Sequence, residues 1–145
     1  MSQVIEVEQI LPTGLGRVWQ AITEPAQMQQ WLFSEIQAFV PAVGSRCEFT
    51  VQLADRAYRH VWHITEVIPQ QLLRYTWEYA GVPGTSTVLW QLTALAPDQT
   101  RLVLSHSGTE SFPADDPAFE YQQGLQGWRQ LVQTHLADWL AKERL

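Results

Sequence analysis

A chain of 145 residues with 46% hydrophobic and 11% aromatic content can bury a substantial core without disulfide or metal staples. Its formal net charge of −6, with Lys142 as the one lysine beside eight scattered arginines, excludes the clustered cations that a nucleic acid or an anionic membrane surface requires. Cys47 is the one cysteine, which rules out an intrachain disulfide, and it reads as a small buried hydrophobe.

No apolar run reaches bilayer length, and Met1-Ser2-Gln3-Val4 is not a cationic leader. The expectation is one domain over residues 1–145, cytoplasmic, with no nucleic-acid or membrane partner and no cofactor. Val4 to Leu11 alternates as a strand and is broken at Pro12-Thr13-Gly14. Two short helices follow. Arg17 to Ile22 carries Val18, Trp19 and Ile22 on one face, and the next runs to about Trp31 with Thr23 as its cap and Pro25 in its first turn. Phe33 to Gly44 is an irregular connection.

The apolar period then changes to two, the mark of half-buried antiparallel strands. Cys47 to Leu53, Tyr58 to Ile68, Leu72 to Tyr79, Ser86 to Ala96 and Thr100 to Ser107 are predicted strands, with a tight connection at Asp55-Arg56-Ala57. Asp116-Pro117 is a helix start, and from there to about Lys142 the residues Tyr121, Leu125, Trp128, Val132, Leu136 and Trp139 recur at helical spacing. Such a helix is roughly 35–40 Å long at 1.5 Å per residue, enough to cross the sheet. The predicted fold is α+β. A curved antiparallel sheet of six or seven strands wraps the long C-terminal helix, and a helix held this way leaves a hollow beneath it.

Four segments then resemble a known family. Val18-Trp19-Gln20-Ala21-Ile22-Thr23-Glu24-Pro25 with Trp31, Ile64-Thr65-Glu66-Val67-Ile68-Pro69 with Leu73-Arg74-Tyr75-Thr76-Trp77, Thr100 to Gly108, and Gly127-Trp128 occur in the order of its motifs. They are similar to the family named after the activator of the 90-kDa heat-shock-protein ATPase, within the START-like (SRPBCC), polyketide-cyclase-like helix-grip superfamily. The resemblance implies a helix-grip domain with an internal cavity and leaves its ligand open. Where the family commonly has glycine in the third strand this chain has Trp62, and His135 stands where leucine is usual.

His60 and His63 form an H-x-x-H, but residues three apart on a strand face opposite ways, so no metal site is expected. Glu66 shares the parity of Trp62 and Ile64, which would point it inward beside Tyr75. There it is either a polar anchor or acid–base group, or a carboxylate at the cavity mouth or a strand end, satisfied by an arginine such as Arg74 or by backbone. His106, in phase with Leu102 and Leu104, is either an acid–base group or a histidine satisfied by its own loop. The candidate catalytic residues are therefore Glu66 and His106. The candidate ligand-binding set is Trp62, Glu66, Tyr75, Trp77, Trp90, His106, Tyr121, Trp128, Val132 and His135, a seam of rings that either encloses a guest or fills the interior.

Three functions remain open from the sequence. The first is binding of a hydrophobic or aromatic small molecule without catalysis. The second is a cyclase or dehydratase chemistry, and the third is activation of a chaperone ATPase. Exposed strand edges would also serve a homodimer.

Overall fold

The computed structural model describes residues 3–53 and 56–142. Six strands form one antiparallel sheet: β1 (Ile5–Leu11), β2 (Arg46–Leu53), β3 (Arg56–Ile68), β4 (Leu72–Tyr79), β5 (Ser86–Ala96) and β6 (Gln99–Ser107). They lie in the order β1-β6-β5-β4-β3-β2, so consecutive strands from β2 to β6 are neighbours and β1 closes the far edge beside β6. Of the Asp55-Arg56-Ala57 connection, Asp55 lies outside the described residues, while Arg56 and Ala57 already belong to β3.

Helices α1 (Leu15–Thr23) and α2 (Pro25–Trp31) follow β1, as their spacing predicted. Pro25 occupies the first turn of α2, where its missing N–H leaves nothing unpaired. Thr23 does not cap that helix. Its hydroxyl donates back to the Trp19 carbonyl at 2.6 Å, and Glu24 takes the capping position without a side-chain bond. Trp31 anchors α2 to α1 through its indole N–H, which donates to the Ala21 carbonyl at 2.7 Å.

The C-terminal helix begins later than the Asp116-Pro117 signal implies. Asp116 does accept a bond from the Ala118 N–H, but it caps only a 3-10 turn over Pro117–Phe119. Glu120 then reverts to extended backbone, with ψ near 141°. Helix α3 (Tyr121–Arg129) starts after that break and continues through a π-helical stretch, Gln130–Leu136, into α4 (Ala137–Lys142). At 1.5 Å per residue the run from Tyr121 is about 33 Å, shorter than expected yet sufficient to span the sheet.

The helix grips the sheet because each surface has one apolar side. From the helix, Trp128, Val132, Leu136 and Leu140 are buried; from the sheet come Ile5, Val7, Trp62, Tyr75, Trp90, Leu102 and Leu104. Cys47 is part of this interior, and burial pushes its thiol up to about 11, which makes it an inert hydrophobe at neutral pH.

Candidate functional site

The interior has two halves of different density. Around the middle of β3 and β4 it is solid. Trp62 stacks on Tyr75 with ring centroids 4.5 Å apart, and Phe39, from the irregular connection after α2, closes edge-on against both at 6.3 and 6.2 Å. Trp90 donates from its indole N–H to the Tyr75 hydroxyl at 3.0 Å and meets Trp31 and Trp128 edge-on. Trp62, Tyr75 and Trp90 are each no more than 1% exposed.

Toward the other end of the seam the packing opens into a hollow of about 230 Å³. Trp77, Tyr79 and His60 come from β4 and β3, Ile5 and His106 from β1 and β6, and Val51 and Leu53 from β2. The helix contributes Gly124, Gly127, Trp128 and Leu131. Phe112 and Phe119, on the strap between β6 and α3, cover it.

Gly127 and Gly124 border the hollow from the helix. A side chain on Gly127 would meet nothing within 4 Å, whereas a Cβ on Gly124 would strike Ile5 Cδ1 at 2.7 Å. The first glycine is exposed with open space around it, and the second lets the helix approach β1.

The strap is pinned at both ends. Asp116 pairs with Arg56 and accepts from the Tyr58 hydroxyl at 3.0 Å, drawing Phe119 against Tyr58 and Tyr79. At the other end the Thr85 N–H donates to Ser111 Oγ at 2.9 Å, and Gly84 presses on the Ser111 carbonyl. Gly84 has φ +111°, and a Cβ there would lie 2.5 Å from that carbonyl oxygen. Gly84→Ala therefore combines backbone strain with a clash and is expected to cost about 2 kcal/mol or more, read as a lower thermal midpoint.

His106 sits on the wall between Trp77 and Trp128 and is 5% exposed. The Trp128 indole N–H donates to its Nδ1 at 3.0 Å, so Nδ1 carries a lone pair and the proton resides on Nε2. Nε2–H donates to Ser86 Oγ at 2.8 Å, and the Ser86 hydroxyl in turn donates to the Trp77 carbonyl at 2.9 Å. A second proton on the ring would face the Trp128 N–H, and burial already holds the imidazole down at about 3. His106 is thus a neutral crosslink between helix and sheet with both nitrogens engaged, which leaves it no free position for proton transfer.

His60 is buried on the same wall. Its ring stacks on Phe49 at 4.8 Å, and Nδ1–H donates to the Tyr58 carbonyl at 3.0 Å. Among the described residues Nε2, an acceptor, meets no hydrogen-bond donor, and burial holds this ring neutral too, down at about 4. Burial likewise pushes the Tyr79 phenol up to about 12, so it stays protonated. The Trp77 indole N–H stands by that phenol without reaching hydrogen-bond geometry.

Glu66 points away from the hollow. The β3–β4 register shifts between Ile64 and Glu66, so Ile64 lies opposite the inward Tyr75 while Glu66 lies opposite the outward Arg74. One extra residue in β3 inverts the parity that would have turned the carboxylate inward. Arg74 Nε donates to it at 3.1 Å on the outer face.

Of the other candidates, Trp77 and Trp128 border the hollow with His106, whereas Trp62, Tyr75, Trp90 and Val132 are packed in the solid half. Tyr121 is half-buried at the start of α3, and His135 is exposed on the outer side of the helix. His60, Tyr79 and Phe119 border the hollow but are not in the ligand-binding set read from the sequence. His60 shares the parity of Tyr58, Trp62 and Ile64, so strand alternation already placed it inward. Phe119 gave no such signal, because its position follows from the strap. Among the described residues no cluster of side chains is arranged to hold a metal ion, and no helix is long and apolar enough to cross a membrane.

Residues 13–141 match the family described as Activator of Hsp90 ATPase homolog 1-like protein. The chain belongs to this family. Among solved structures it is similar to protein MLL2253 of Mesorhizobium loti, at 28% identity and a TM-score of 0.77, covering 99% of this chain and 100% of that one. Protein CV1439 of Chromobacterium violaceum shares the fold at 20% identity and a TM-score of 0.78, covering 94% and 96%. A protein of the dynemicin biosynthetic locus matches at 25% identity and a TM-score of 0.74; 97% of this chain is covered, but only 48% of the longer one. No curated protein matches. The architecture is thus the helix grip of the START-like superfamily, as the motifs implied.

Proposed function

We propose that this chain binds a small hydrophobic molecule, aromatic or of similar bulk, between the sheet and α3. The observation that carries this reading is the hollow of about 230 Å³, bounded mostly by aromatic and aliphatic groups and bordered on the helix side by Gly127. An apolar cavity of about 150 Å³ is enough to take up benzene, so this one suits a single substituted ring and little more. Aromatic walls contribute apolar burial and edge-to-face contacts to such a guest.

The cyclase-type alternative needs an acid–base pair facing the guest, and the geometry argues against the pair named from sequence. Glu66 is on the outer face, and His106 is held by Trp128 and Ser86. The chaperone-activating alternative rests on the family description alone.

Titration with toluene, followed through the indole N–H resonances of Trp77 and Trp128, tests the reading. Saturable shifts are expected in the wild type. Gly127→Leu should abolish them while leaving stability unchanged or up to about 1 kcal/mol higher, because glycine is a poor helix former. Absence of saturable shifts in the wild type, or identical shifts in Gly127→Leu, overturns the proposal.

A further inference from the structure

We infer that the hollow selects a neutral ring carrying one hydrogen-bond donor, such as a phenolic hydroxyl, and that His60 Nε2 is the acceptor that reads it. This rests on the small-molecule reading above and adds the polarity, charge and orientation of the guest.

Three features of the wall support the assignment. The first is that His60 is 4% exposed and borders the hollow, yet among the described residues only Nδ1 has a hydrogen-bond partner. Because the Tyr58 carbonyl can only accept, Nδ1 must carry the proton, and Nε2 is fixed as a bare lone pair. Because His60 lines the hollow, a donor on the guest can reach this lone pair and gain a hydrogen bond there.

The second feature is rigidity. The imidazole is stacked on Phe49 with an interplanar angle of 13°, and the Trp77 and Tyr79 rings stand edge-on at 5.2 and 4.8 Å. Its lone pair therefore has a set direction before any guest arrives, which lowers the ordering cost of binding.

The third is charge. Among the described residues that border the hollow, Glu120 alone is charged, and it is exposed at the rim. No cation is present on that wall to neutralise a carboxylate or phosphate, and Glu120 repels one. A cation would have to leave water for a wall of rings and neutral imidazoles. The uncharged guest is the one the site can desolvate.

Phenol, toluene and benzoate, nearly equal in size, test the inference by calorimetric titration of the wild type and of His60→Phe. Taking the ratio of affinities between the two proteins cancels the different hydration of the probes. The preference for phenol over toluene should fall at least roughly fivefold in His60→Phe, toluene should bind both proteins, and benzoate should bind neither. In the wild type, the 15N resonance of His60 Nε2 should move with phenol and stay with toluene, a readout that holds even if the variant folds poorly.

An unchanged phenol-to-toluene ratio in the variant, an Nε2 resonance indifferent to phenol, or saturable benzoate binding overturns this inference while toluene binding keeps the cavity reading intact. Failure of both phenol and toluene to bind overturns both.

Discussion

Trp90→Ala lowers the unfolding free energy by about 3–5 kcal/mol, measured as the loss in a urea titration at neutral pH. Trp90 is 1% exposed and lies where three elements meet. It packs edge-on against Trp31 of α2 at 5.9 Å and Trp128 of α3 at 5.7 Å, and it donates to the Tyr75 hydroxyl of β4. Removing it leaves a cavity the size of an indole and a phenol that has lost its donor. Small domains hold only about 5–15 kcal/mol in total, so this change takes a large share. Trp90→Phe should cost less, because most ring contacts survive and only the indole N–H is lost. A cost below about 1 kcal/mol for the alanine variant would contradict a helix clasped through this ring.

The second large effect is acid sensitivity between about pH 6.5 and 4.5. In the folded chain burial holds His106 down at about 3 and His60 down at about 4, against an ordinary value of 6.5. Below pH 6.5 the unfolded chain takes up two protons that the folded chain refuses. Stability therefore falls as pH drops through this window, and these two groups add no pH dependence above it. With both rings neutral in the native state, the slope approaches about 2.7 kcal/mol per pH unit, twice the single-proton value. By pH 4.5 the loss is several kcal/mol. The paired carboxylates Glu8 and Glu48 are held below their ordinary 4.5 by hydrogen bonds to Arg101 and Arg46, so their losses come at lower pH. Urea midpoints collected from pH 7.5 to 4.5 measure the effect, and His60→Phe should halve the slope. A flat profile would mean that both rings protonate in place, and a halved slope that one of them does.

The same two histidines illustrate how far local pattern reaches. His106 was placed inward by its phase with Leu102 and Leu104, and it is inward. Its role as a crosslink depends on Trp128, twenty-two residues away, and on Ser86, twenty residues back. Glu66 was placed inward by the same kind of count, and one bulge between Ile64 and Glu66 reversed it. Alternation is valid only between bulges. Nothing in the local composition of Ile64-Thr65-Glu66 announces where an extra residue will be absorbed.

The C-terminal helix follows the same logic. Its apolar spacing was legible because burying one stripe against the sheet constrains every third or fourth residue. Its starting point was not, because Pro117–Phe119 satisfies helix-start chemistry while Phe119 is drawn toward Tyr58 and Tyr79. Tertiary packing at the strap outweighs the local capping signal.

The α+β class, the strands, their inward faces up to the bulge in β3, the gripping helix and the family are all legible in the order of the residues. Each of these is a periodic demand that one face of one element be dry. Only the tertiary structure decided which rings interlock and which stand back around a hollow, and whether a buried polar group is satisfied or left open. Those outcomes depend on volume and hydrogen-bond partners shared among segments far apart in the chain, and such quantities exist only once the segments meet.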